Sequence, residues 1–130
     1  MTDRMWRDVE SFHAKFHITP RFAIPTPLGA FPGATGRERV RHLGEELDEL
    51  RKACANGDVA KQADALADLI YVALGTALMM GLPWTQVWDA VHAANMRKVH
   101  ATGPKQVAKP AGWQDPIVDI DAAIAALRAA

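Results

Sequence analysis

Apolar residues recur along the chain at three- and four-residue intervals, the period of an α-helix packed by one face. Met5, Trp6, Val9, Phe12 and Phe16 set the first stripe and predict a helix from about Asp3 to Phe16. Between Ile18 and Gly36 stand Pro20, Pro25, Pro27 and Pro32 with three glycines, which exclude regular helix and predict an ordered, proline-stiffened loop. A loop of this length invites a functional role. Thr35 followed by Glu38 has the form of a capping box at the start of a second helix, whose stripe runs Val40, Leu43, Leu47, Leu50, Cys54. Asn56-Gly57 suits the left-handed turn that ends a helix, and Asp58 suits the cap of the next.

The third helix, about Val59 to Met80, is apolar on almost every side after Asp68, as expected of a helix surrounded by protein. Gly81 ends it. Pro83 suits the first turn of a fourth helix from Trp84 to about His100, packed through Trp84, Val87, Val91 and Ala94. The tail from Ala101 to Pro116 reads as loop, with Asp119 capping a short alanine-rich helix that ends at Arg128. No internal repeat is present. The expectation is an all-α fold in a single domain spanning residues 1–130, a four-helix-bundle core with a Pro-rich N-terminal loop and a C-terminal tail, its burial completed by oligomerisation.

Composition sharpens this picture by exclusion. The chain is 49% hydrophobic and 23% charged, the balance of a packed globular protein. Its 15 basic residues match 15 acidic ones, so the basic surplus that a nucleic-acid polymer demands is missing. The single cysteine, Cys54, forms no internal disulfide and is expected in the core, which fits a reducing compartment. Met1 to Glu10 lack the continuous apolar run of a signal peptide, so no export is expected. The most apolar stretch, Leu69 to Trp84, falls short of the ~20 residues that span a bilayer, with Asp64 and Asp68 just upstream. A cytoplasmic protein without a membrane partner is the reading.

Candidate chemistry lies in the acids. Glu45, Glu46 and Glu49 fall within one turn of the second helix, in an arc of roughly 100°. Asp64 and Asp68 are four apart on the third and point one way, with Val72, Gly75 and Met79 beyond them. An Asp68 in apolar company is protonated, paired or metal-bound, because desolvation penalises the bare charge. The tight Asn56-Gly57 connection predicts antiparallel helices, bringing Glu49 level with residue 65 and Glu46 level with Asp68. Converging acids repel at ~4 to 6 Å, and a hard divalent cation with oxygen ligands relieves this. Magnesium keeps waters and takes phosphates as further ligands, so the cluster points to phosphate chemistry, with manganese able to substitute. A solvated helix face explains Glu45 and Glu49 if Asp68 is disregarded, and Asp64 also suits a first turn.

Asn95 and Lys98 are three apart, following Trp88 and Val91 on one stripe, and are placed to hold phosphate oxygens; a solvated last turn answering the helix dipole explains them equally well. Lys105, Lys109 and Trp113 in the following loop suit phosphate pairing and base stacking, or a simple packing anchor.

Taken together, Glu45-Glu46-x-x-Glu49, Asp64-Ala-Leu-Ala-Asp68-Leu-Ile-Tyr71-Val and Val91-His-x-x-Asn95-Met-x-Lys98-Val resemble the MazG-like all-α nucleotide pyrophosphohydrolases. The segment Lys109-Pro-x-Gly-Trp113-x-x-Pro116 resembles the tail of the subgroup related to phosphoribosyl-ATP pyrophosphatase and the dUTP-hydrolysing enzymes. The resemblance implies cleavage of a nucleoside triphosphate between its α and β phosphates. It implies magnesium held by Glu45, Glu46, Glu49 and Asp68, with Glu45 or Glu46 acting on the water. Asn95 and Lys98 would grip the phosphates, and a homodimer or larger homo-oligomer would complete the bundle. In one respect the chain departs from the family's usual Glu-x-x-Asp: the Glu position is Ala65, with Asp64 beside it as a shorter substitute. Two rivals are a catalytically silent helical interaction module and a di-iron bundle using Glu10-x-x-His13, for which Asp89 and His92 offer only a loose second copy that a surface histidine explains more simply.

Overall fold

A computed structural model describes residues 2–130, with side-chain surroundings from Arg4 onward. The chain is all-α, five α-helices among the described residues with one two-stranded hairpin, and it divides after Leu82 into two compact units. The first holds α1 (Thr2–Lys15), a 3-10 turn (Leu28–Ala30), α2 (Thr35–Ala55) and α3 (Val59–Met80). The second holds α4 (Trp84–Met96), the antiparallel pair β1 (Val99–His100) and β2 (Val107–Ala108), and α5 (Ile117–Ala129).

The α2–α3 connection closes in three residues. Asn56 stays right-handed, Gly57 turns at φ +65°, and Asp58 accepts the Lys61 backbone N–H at 3.1 Å, satisfying one of the open donors at the start of α3. Ala53 C=O, at the end of α2, accepts from Asp58 N–H at 3.1 Å and from Gln62 Nε2 at 3.3 Å. A turn this short leaves the two helices no choice but to fold back on each other, and α3 also packs against α1.

At the other end of α3, Gly81 at φ +72° terminates the helix. The proline-rich loop then supplies partners for its last carbonyls: Phe22 N–H donates to Met79 C=O and Thr26 N–H to Met80 C=O, each at 2.9 Å. Phe31 is buried beside Phe22, with ring centroids 5.1 Å apart. The loop predicted as a candidate for function thus has a clear structural task.

Burial patterns and helix ends differ from the sequence expectation in several places. On α2 the less exposed line runs through Gly36, Arg39, Leu43, Glu46, Leu50 and Ala53, leaving Val40 and Cys54 in solvent. Two polar residues took inward places that an apolar count cannot assign. Arg39 holds its place by bonding: Nε donates to Thr76 Oγ1 at 3.1 Å and Nη2 to Val72 C=O at 3.0 Å. On α3 only Leu74 to Met79 form a continuous buried run, while Leu66 and Ile70 stand about half exposed. By length and composition α3 could cross a membrane, yet its buried run and its packing on α1 and α2 are those of a core helix.

The expected capping box does not form. Thr35 lies inside α2, Ala34 occupies the cap without a side-chain bond, and Glu38 is taken by Arg41, which holds its carboxyl below the usual carboxylate range. Helix α4 stops at Met96 rather than near His100, because Val99 and His100 pair with Ala108 and Val107. Its buried positions are Ala90 and Ala94, and Val91 is exposed. Helix α5 starts two residues before Asp119, and Asp115 accepts the Ile117 N–H at 3.0 Å.

Gly36 packs the first turn of α2 against the 3-10 turn so closely that an added Cβ would lie 2.0 Å from Leu28 C=O. Gly36→Ala therefore outweighs alanine's helix advantage and destabilises the protein by about 1–3 kcal/mol, read as a lower urea midpoint at unchanged slope.

Candidate active site

Between the turn-proximal halves of α2 and α3 lies a cleft of about 310 Å³, lined by Glu46, Glu49 and Lys52 from α2 and by Lys61, Asp64 and Asp68 from α3. Buried Ala53 and Ala65 also line it, so the position at which the resemblance leads one to expect Glu is a small apolar patch. The level pairing expected of an antiparallel hairpin is present, since acids from both helices face one space.

Three corrections to the sequence reading follow from the side chains. Glu45 does not join the cleft. It is one residue, or 100°, round the helix from Glu46; it pairs with Arg41 and lines a different depression with Glu38 and Thr19. Nor are the acids an unrelieved cluster, because the Lys52 ammonium and the His42 imidazole stand among them. Lys52 Nζ lies 3.6 Å from Glu49 Oε1, and His42 Nε2 lies 3.2 Å from Glu46 Oε1. Finally, among the described residues no three acids, histidines or cysteines are disposed to hold a metal unaided. Carboxylate oxygens are nevertheless the right donors for magnesium, which typically takes one or two carboxylates and fills its shell with water and substrate phosphate. The donor set fits such an ion.

A second cleft, of about 330 Å³, shares Glu46 and Asp68 with the first and is walled by Phe12, Arg39 and Tyr71. The Phe12 and Tyr71 rings meet edge to face with centroids 5.5 Å apart. His13 also lines it and is buried, at 6% exposed. Gly75 makes this possible: a Cβ there would fall 2.6 Å from His13 Nε2 and 2.8 Å from Arg39 Nη2. Burial first, then the charges of Arg39 and Arg21, push the His13 pKa below its ordinary value. Glu10 meanwhile bonds Arg21 at 2.8 Å, and Asp89 and His92 are exposed, so the Glu-x-x-His pair of a di-iron site is not assembled.

In the second unit Trp113 gathers Lys98, Lys109 and Arg97, with cation-to-ring distances of 5.9, 5.7 and 5.8 Å. Its indole Nε1 is buried without a hydrogen-bond partner. Lys98 follows α4 rather than riding on it, while Asn95 and Lys105 are exposed. Sequence reasoning paired Asn95 with Lys98; the structure instead groups Lys98 with Lys109 and Trp113.

Lys52, Lys61, His42 and Arg39 were missed as site residues. Helical spacing carried the signal for each: Lys52 is three beyond Glu49, Lys61 three before Asp64, and His42 and Arg39 four and seven before Glu46.

A family match now sets this all-α chain among the MazG-like pyrophosphohydrolases. Residues 11–95 match the family of phosphoribosyl-ATP pyrophosphohydrolases, and the chain belongs to that family. No curated protein matches the chain closely enough to refine this. Membership makes it a hydrolase acting on a phosphoric anhydride of a nucleotide-type substrate, in a family whose members generally depend on divalent metal, and decides against the silent helical module. The matched span contains every acid of the cleft and ends before Lys98, Lys109 and Trp113.

The depressed His13 pKa has a consequence for stability. The folded state prefers neutral His13, so its contribution is fully present above the unfolded value of 6.5 and is lost as pH falls towards the lower folded value. Thermal melts of wild type and His13→Gln should diverge in pH dependence below about 6.5, the wild type losing more stability on acidification.

Proposed function

We propose that the protein hydrolyses a nucleoside triphosphate between its α and β phosphates, releasing monophosphate and pyrophosphate. The observation that carries this reading is the single cleft in which Glu46, Glu49, Asp64 and Asp68 stand among Lys52 and Lys61. Glu46, Glu49 and Asp68 would hold magnesium, with Asp64 as the nearest substitute for the acid missing at Ala65 and manganese as an alternative ion. The bound ion supplies charge neutralisation to the anhydride and its leaving pyrophosphate.

The chain's own groups divide the remaining work. Glu46, steadied by His42, accepts the proton of the attacking water, which adds to phosphorus as the bridging oxygen departs with pyrophosphate. Lys52 and Lys61 answer the phosphate charge from either side of the cleft. Within the second unit, Lys98, Lys109 and Arg97 around Trp113 form a cationic surface of the kind that suits a polyanionic nucleotide, and Asn95 offers an amide on α4 of the same unit. A deoxypyrimidine triphosphate, dUTP or dCTP, heads the substrate panel, with phosphoribosyl-ATP beside it.

A second copy of the chain would complete the helical core. Met5, Val9, Ala67, Ile70 and Leu74 line an apolar groove on α1 and α3, and Met5 and Ile70 are 43% and 49% exposed in the single chain. A homodimer or larger homo-oligomer in the cytoplasm is proposed, without nucleic-acid polymer or membrane as partner.

Asp68→Ala and Glu49→Ala should each abolish magnesium-dependent pyrophosphate release, with helix content by circular dichroism unchanged. Glu45→Ala should keep most of the rate, because its carboxylate belongs to Arg41. Near-normal turnover in the first two variants, or a dead Glu45→Ala, would overturn these assignments.

A further inference from the structure

The two clefts of the first unit meet at Glu46 and Asp68, and their walls differ in kind. One is ringed by acids and lysines; the other presents Phe12, Tyr71 and Val72 with Arg39 and His42 among them. A substrate with a polyanionic end and a planar, weakly polar end matches that division. We infer that the Phe12–Arg39–Tyr71 cleft is the nucleobase subsite of this enzyme, and that Arg39 reads a carbonyl oxygen on the base. This inference rests on the pyrophosphohydrolase reading of the acidic cleft and assigns the part of the substrate which that reading leaves unplaced.

Four observations support it. The Phe12 and Tyr71 rings stand perpendicular, at 87°, and both residues are partly exposed, at 41% and 37%, so aromatic surface is left beside their mutual contact for a planar ligand to meet. Arg39 is fixed by its bonds to Thr76 and Val72, which spend two of its five N–H groups and hold the guanidinium in the cavity wall. A fixed guanidinium donates and cannot accept, so it suits a base that turns a carbonyl oxygen towards it, where adenine offers ring nitrogens but no carbonyl. Gly75 keeps the space beside Arg39 and His13 free of a side chain. The cavity, about 330 Å³, lies at the lower end of the ~300–1,000 Å³ usual for small-ligand sites.

The test separates base binding from phosphate binding. Calorimetry measures the affinity of magnesium pyrophosphate and of α,β-methylene triphosphates of deoxyuridine and deoxyadenosine, on wild type, Phe12→Ala, Phe12→Leu and Tyr71→Leu. Loss of one stacking ring should weaken the deoxyuridine analogue roughly 10-fold while pyrophosphate affinity stays within about 2-fold. Phe12→Leu keeps apolar bulk on α1, so the same loss there with an unchanged melting temperature excludes a folding defect. Wild type should bind the deoxyuridine analogue more tightly than the deoxyadenosine one, and Arg39→Lys should narrow that gap. Equal loss for nucleotide and pyrophosphate, no loss for either, or tighter binding of the adenine analogue would overturn the assignment. Wild type that binds the analogues base-selectively yet releases no pyrophosphate from the natural triphosphates would sink the proposed activity and leave the subsite standing.

Discussion

A three-residue turn fixes the register of α2 on α3, and nearly everything of interest in the first unit depends on that register. Gly57 supplies the left-handed step, Asp58 supplies the cap, and the level of every facing pair is then a matter of counting back from the turn. Glu46 and Asp68 come to share two clefts because they sit at corresponding heights, not because either seeks the other. One inserted residue in the turn would shift one helix along the other by about 1.5 Å and rotate it by about 100°, dispersing the acids while leaving two good helices.

The interior of this hairpin is more polar than its composition suggests. Arg39 reaches across to α3, and burial draws its pKa below the ordinary arginine value, yet a guanidinium stays protonated in proteins. Its bonds to Thr76 and to the Val72 carbonyl offset the desolvation that the charge would otherwise suffer. Thr76 in turn donates to the same carbonyl at 2.8 Å, so one α3 backbone oxygen anchors both side chains. With His13 buried alongside, a polar seam runs through the packed layer just where the two clefts are supported.

Much of this could be read from the residues. The helix ends at Asn56-Gly57 and Gly81, the Asp58 cap and the matched acids all follow from local rules that act within a few residues. What escaped were choices made by tertiary packing. The apolar stripe of α2 placed Cys54 inward, whereas Ala53 is buried and Cys54 exposed, since a small residue fits the close approach of helices next to a tight turn. Thr35 and Glu38 have the spacing of a capping box, but the helix begins around them and Arg41 claims the glutamate. Neighbouring glutamates 45 and 46 look alike in sequence and part company in space, because a step of 100° sends them to different sides of α2. His13 was unreadable for a further reason: its burial depends on Gly75, sixty-two residues away, having no side chain.

The proline-rich loop is tied to the end of α3 through its own main chain, by the amides of Phe22 and Thr26. Main-chain ties do not depend on which side chains the loop carries, so its exposed positions Ala23 and Ile24 are free to change without unfastening it. The constraint falls instead on Gly81, whose missing Cβ leaves room for the Phe22 carbonyl. Such a segment leaves room for sequence drift at its outermost positions, where the surface can be redrawn while the helix beneath stays put.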